Sequence, residues 1–212
     1  MTLFEPHALY LFFVASLLLN LTPGNDMMFV ASRSLSQGVR AGGISSLGIF
    51  VGCFVHILAA TVGLSIVVAR SATLFQLIKF AGAGYLVFLG LSAILRKSRD
   101  EDQAGSLPPI GGWKLFGQGV ITNALNPKVA IFFLSFLPQF VDAASPRVKV
   151  QFLLLGVWFA VQGTLVLLGV AFLCGRTSRL LKGKAGFRRV QEKVTGLILV
   201  GLGVRLALAD RK

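Results

Sequence analysis

This sequence predicts an all-α, polytopic membrane protein: six transmembrane helices arranged as two inverted three-helix repeats, with helices 1 and 4 broken. Three observations predict it. The chain of 212 residues is 55% hydrophobic, has only 14% charged side chains and a mean hydropathy of +0.78, too apolar for an ordinary water-soluble domain. Its apolar residues fall into runs long enough to cross a bilayer, which takes about 20 residues of helix. Two of those runs are interrupted alike, by Asn20-Leu21-Thr22-Pro23-Gly24 and, about a hundred residues later, by Asn123-Ala124-Leu125-Asn126-Pro127.

The first run, 8–31, has no basic segment ahead of it and no small-residue cleavage site before Pro23, so it is a retained span rather than a signal peptide. Runs 44–69, 75–95, 115–141 and 150–174 supply the next four spans. The sixth, 194–209, is shorter and contains Arg205, close enough to its end to reach the headgroups; without this stretch the count is five. The charged, proline-containing stretch from Arg96 to Pro109 is an exposed linker. It divides a single integral-membrane domain, 1–212, into a first repeat at about 1–95, a linker at 96–112 and a second repeat at about 113–212. An odd number of helices per half makes the second half enter the membrane from the opposite side. Pro23 and Pro127, Gly52 and Gly156, and Gly90 and Gly203 then occupy equivalent helices of the two halves.

The net charge of +13 does not point to nucleic acid, because the basic residues sit in short segments between apolar runs. The loops after spans one, three and five carry Arg33 and Arg40, then Arg96, Lys97, Arg99 and Lys114, then Arg176, Arg179, Lys182, Lys184, Arg188 and Arg189. The opposite side has Arg70, Arg147, Lys149, Arg211 and Lys212, so the richer side is expected to be cytoplasmic and, with six spans, both termini outside. Cys53 and Cys174 each lie in an apolar run with no companion Cys or His spacing, which makes them small hydrophobes. No metal site and no cofactor is expected.

The breaks carry the chemistry. Proline removes a helical donor and disfavours helix in the residue before it, yet suits the first position of a new helix. Thr22 and Asn126 precede the prolines and are both good N-cap types, so each break is expected to restart with a cap followed by Pro23 or Pro127. In a membrane such freed backbone groups are tolerated against protein or a water-filled cavity. Restarted helices would present N–H groups and positive dipole ends near mid-membrane, a setting for a carboxylate. Asp26 and Lys128 follow immediately, and Asp26 is the one acid deep within a span. Their opposite signs suit them either to each other or to a zwitterion. Asn20 and Asn123, one helical turn before the prolines, either satisfy broken backbone or touch substrate. His56 in the second span is either hydrogen-bonded packing or a proton shuttle. Gln162 and Thr164, flanking Gly163, are expected to hydrogen-bond between helices, and Gly48-x-x-x-Gly52 permits close helix approach, within one subunit or across a homodimer.

At these residues the chain resembles the LysE/RhtB family of amino-acid exporters. The likeness lies in Leu21-Thr22-Pro23-Gly24-Asn25-Asp26-Met27-Met28, in the stretch from Ser32 to Gly42, in Gly48-Ile49-Phe50-Val51-Gly52, and from Asn123 through Phe133 to Val141. Asn25 stands where many members have a second proline. The resemblance implies a multi-pass protein of the bacterial inner membrane that exports amino acids or close derivatives, such as homoserine, threonine or leucine, driven by the proton gradient. Within that frame Asn20, Thr22, Pro23, Gly24, Asn25, Asp26, Asn123, Asn126, Pro127 and Lys128 are the expected substrate-binding residues, with Asp26 and His56 as the expected proton-coupling pair. Lys128 and the restarted helices would hold the substrate carboxylate, while Asp26 would hold its ammonium and exchange it for a proton. Export of a metal ion or other small solute, and a membrane-embedded hydrolase, are the alternatives; the chain has no paired Cys, few intramembrane acids and no His in a motif with a nucleophile.

Overall fold

Both interruptions split their helices in the computed structural model, which describes residues 4–64, 108–142 and 145–176, with separate positions within 73–95 and 197–208. The described residues are helices and the short segments joining them, as an all-α polytopic membrane protein requires.

Helix α1 (Pro6–Leu21) begins with proline at its first turn and ends at Thr22, whose backbone is extended at φ −66°, ψ 124°. That conformation is the one Pro23 imposes on the residue before it. Helix α2 (Asn25–Gln37) starts from Gly24 and is bent 50° from α1. The expectation that Thr22 caps α2, with Pro23 as its first residue, is therefore corrected. Thr22 terminates α1 instead: its Oγ1 donates to Leu18 O at 2.8 Å, and its carbonyl is taken by the Lys128 ammonium rather than by a new helix. Gly38, with φ 85°, turns the chain from α2 directly into α3 (Val39–Ala59), a conformation that favours glycine. A π-helical turn, Ala60–Leu64, extends α3, and Val39–Gly63 has a mean hydropathy of 2.0 over its most apolar stretch.

The second break forms as expected. Helix α4 (Gly112–Ala124) ends, Asn126 adopts an extended conformation with its side chain accepting from Lys128 N at 3.0 Å, and Pro127 opens α5 (Pro127–Ile131). Helix α5 runs on through a π turn, Phe132–Phe136, and a 3₁₀ turn, Leu137–Phe140, at 43° to α4. Helix α6 (Val148–Arg176) is unbroken for 29 residues, about 43 Å at 1.5 Å per residue, enough to cross a bilayer with tilt. A bent helix pair followed by a long apolar helix thus occurs in each half.

Within the expected third and sixth spans only separate positions are described. Phe80, Ala83, Gly84 and Val87 there face Val204, Ala207 and Leu208 across an apolar crevice. Gly90, Gly203 and Arg205, most of the linker, and the basic stretch from Arg179 to Arg189 lie outside the described residues.

Helix α3 is the hub, packed on α2, α4 and α6. Its contact with α4 is backbone to backbone: a Cβ on Gly52 would lie 2.5 Å from Val120 O, and one on Gly119 would lie 2.5 Å from Ser45 O, while Gly48 abuts the Phe116 carbonyl. The Gly48-x-x-x-Gly52 face is therefore occupied inside the chain. Two apolar clusters flank the breaks. One is aromatic, with Phe132 stacked on Phe159 at 4.6 Å and Phe12 edge-on to Phe140 at 5.3 Å. The other is small and aliphatic: Val30, Ile49, Leu167 and Ala171. Outward faces stay apolar, as at Val51, Val55 and Leu58 of α3 and Leu154, Val161 and Leu165 of α6, the arrangement a lipid solvent selects.

Candidate functional site

Each break supplies the partner for the charged residue of the other. Asn123, in the last turn of α4, donates from Nδ2 to Asp26 Oδ2 at 2.8 Å. Lys128 donates from Nζ to Thr22 O at 2.8 Å. Among the described residues no ion pair joins Asp26 to Lys128; each charge is held by a neutral group from the opposite half. Antiparallel placement of α2 against α4 brings this about, because the residues just after the first break meet the residues just before the second. Gly24 packs against the lysine stem, where a Cβ would make an ordinary contact with Lys128 Cδ at 3.4 Å.

A cavity of about 40 Å³ lies at this junction, with Asn20, Thr22, Gly24, Asp26, Asn123, Asn126 and Lys128 as its polar wall. Such a space accommodates water rather than an amino acid. Filling it with anything larger requires the helices around it to part. Two buried acceptors in that wall, Asp26 Oδ1 and Asn123 Oδ1, have no donor among the described residues. Unmet oxygens of this kind are uncommon in a folded interior and mark a place for a water, an ion or a ligand donor.

Of the expected site residues, those seven line the cavity. Pro23 and Pro127 do not: they make the breaks, and their neighbours form the wall. Asn25 is exposed as the first residue of α2 and is likewise outside the lining. His56 is buried behind it, with Nε2 2.9 Å from Asn123 O and its ring 5.9 Å from that of Phe133. Its hydrogen-bonded link to Asp26 runs through Asn123. Asn20 does not satisfy its own broken backbone; its Nδ2 donates to Phe159 O on α6 and to Gln162 Oε1, each at 3.4 Å.

The remaining wall comes from residues not anticipated as site residues: Met27, Ile49, Phe50, Cys53 and Val129, and from α6 Phe159, Ala160, Gly163, Thr164 and Leu167. Gln162 does bond between helices, to Ser16 Oγ and Phe13 O of α1. Thr164 does not, which corrects that expectation; its hydroxyl donates to Ala160 O one turn back, the low-cost partner for a threonine in an apolar helix. Gly163 carries the clearest signal that was available in the sequence, as a glycine between two polar residues in an apolar helix. A Cβ there would lie 2.8 Å from Asn20 Oδ1, so the glycine is what lets Asn20 lie against α6.

The chain matches the family model described as LysE type translocator over residues 17–210. It is 30% identical over 211 residues to the uncharacterized membrane protein YrhP of Bacillus subtilis, covering 96% of this chain and 100% of that one. It is 27% identical over 201 residues to the leucine efflux protein of Salmonella typhimurium, covering 92% of each chain. No solved structure matches it with statistical significance.

Proposed function

Because this chain belongs to the LysE type translocator family, we propose that it is a secondary transporter exporting amino acids across the bacterial inner membrane by proton antiport. Neutral amino acids and derivatives such as leucine, threonine or homoserine are the proposed substrates, in line with the similarity to the leucine efflux protein of Salmonella. One observation carries the reading: two unmet acceptors, Asp26 Oδ1 and Asn123 Oδ1, share a cavity wall with the Lys128 ammonium. That charge arrangement complements a zwitterion. The acceptors suit the substrate ammonium, the lysine its carboxylate, and the apolar wall from α3 and α6 an uncharged side chain.

Asp26 gives the coupling. A carboxylate that binds either a proton or an ammonium, but not both, returns a proton inward each time it releases substrate outward. His56, held on Asn123 O, positions the amide that holds Asp26. The two halves act as inverted repeats around the fixed breaks, with the basic loops cytoplasmic and both termini outside. The test is efflux of a panel of labelled amino acids from proteoliposomes with and without an imposed pH gradient. Movement of at least one unmodified amino acid that collapses with the gradient is expected; none moving, or the gradient having no effect, would refute exporter or antiport respectively.

A further inference from the structure

A second set of unmet groups lies two turns along α2 from Asp26, and its character is opposite. Arg33 shares the Asp26 face of α2, seven residues on and about 10 Å away along the helix. Its Nη2 donates to Gln118 Oε1 of α4 at 3.2 Å, and its guanidinium lies 5.9 Å from the Phe29 ring centre. Arg33 Nε and Nη1 are buried and have no acceptor among the described residues. One turn further, Gln37 Oε1 accepts from Ile110 N at 3.0 Å, while Gln37 Nε2 is also buried without an acceptor. Every unmet atom of this group is therefore a donor, whereas those at the cavity are acceptors.

We propose that Arg33, Gln37 and Gln118 form an anion site that receives the substrate carboxylate before it reaches the central cavity; this rests on the zwitterion-export reading above. Tying α2 to α4 needs only one hydrogen of Nη2. The other leaves at least one edge of the planar guanidinium complete, the geometry that takes both oxygens of a carboxylate. Gln37 adds a donor on the same side of α2, four residues on. Val30, one turn from Arg33 and fully buried, packs with Ile49 and Leu167, which also line the cavity. A single apolar layer thus separates the donor group from the acceptor group. Opening it passes a zwitterion from one to the other, and the polar contacts between α2 and α4 mark the path.

The experiment is counterflow of labelled leucine, or of whichever panel amino acid moves fastest, in proteoliposomes of phosphatidylcholine alone and with phosphatidylglycerol. Arg33→Gln is expected to raise KM about tenfold or more, the loss of a charge-assisted partner, with the maximal rate changed far less. Arg33→Lys restores part of it. Gln37→Glu keeps the acceptor for Ile110 N and lays a carboxylate against the guanidinium, so it is expected to raise KM by self-occupation while raising the thermal midpoint. This second variant decides the matter should Arg33→Gln fail to fold. An unshifted KM in Gln37→Glu, or in a folded Arg33→Gln, overturns the proposal while leaving transport intact. A defect confined to phosphatidylglycerol vesicles assigns the site to a net-anionic lipid headgroup and overturns it too. A wild type that moves no amino acid overturns the transport reading, and this proposal with it.

Discussion

Lys128, the residue after the proline of the second break, places its Nζ 2.8 Å from the carbonyl oxygen of Thr22 in the first. The Thr22 carbonyl, which loses its helical donor where α1 stops, is thereby satisfied from the other half of the chain. Lys128→Met is expected to leave that oxygen unmet, at a cost of about 1–3 kcal/mol, and to abolish efflux. Thr22→Val keeps the carbonyl and removes only the hydroxyl bond to Leu18 O, about 1 kcal/mol. Thermal midpoints in detergent check this, with a larger fall expected for Lys128→Met than for Thr22→Val.

The breaks were legible in the sequence because proline is nearly absolute in what it forbids, and the second break was legible down to its cap because Asn126 acts on its own backbone neighbour, Lys128 N. The first was not, because the group that settles Thr22 comes from 106 residues away. The α6 wall was hidden for a different reason. Apart from Gly163 with its polar neighbours, wall residues such as Phe159, Ala160 and Leu167 lie in an uninterrupted apolar helix, where periodicity says nothing about which face meets the cavity. Asn126→Ala tests the legible part: it is expected to cost about 1 kcal/mol as a lost cap and to lower efflux several-fold by freeing the backbone that aims Lys128.

Two glycines, one at the contact of α3 with α4 and one in the α6 wall of the cavity, separate packing from selectivity. Gly52→Ala would drive a methyl to 2.5 Å from the Val120 carbonyl, fixed backbone, and is expected to cost about 1–3 kcal/mol and lower the amount of folded protein. Gly163→Ala meets instead the end of the Asn20 side chain, which can rotate away. Folded protein is expected, with a changed ratio of leucine to alanine efflux as Asn20 swings from Phe159 O into the cavity. An unchanged ratio would show that Asn20 takes no part in shaping the site.

The unequal loop charge predicts the topology. Cysteine labelling from either side of the membrane is expected to find 176–189 inside the cell and the C-terminus outside. Labelling of the C-terminus from the cytoplasm would remove the six-span arrangement, and with it the inversion that places the two breaks in matching roles.

Asp26 and Lys128 offer the sharpest division between coupling and structure. Were the acid present only to neutralise the lysine, Asp26→Asn would strand a buried charge at a cost of about 3–5 kcal/mol, and adding Lys128→Met would restore both stability and transport. The hydrogen bonds argue otherwise, since Lys128 rests on Thr22 O and Asp26 on Asn123. An asparagine at 26 still offers an oxygen to Asn123 Nδ2 and mimics the protonated acid. Asp26→Asn is therefore expected to remain folded, with a midpoint within a few degrees of wild type, and to lose efflux driven by a pH gradient. Adding Lys128→Met should lower the midpoint further, because Thr22 O then loses its donor, and should restore no transport. Gradient-driven efflux in the double variant would end the proton-coupling role of Asp26.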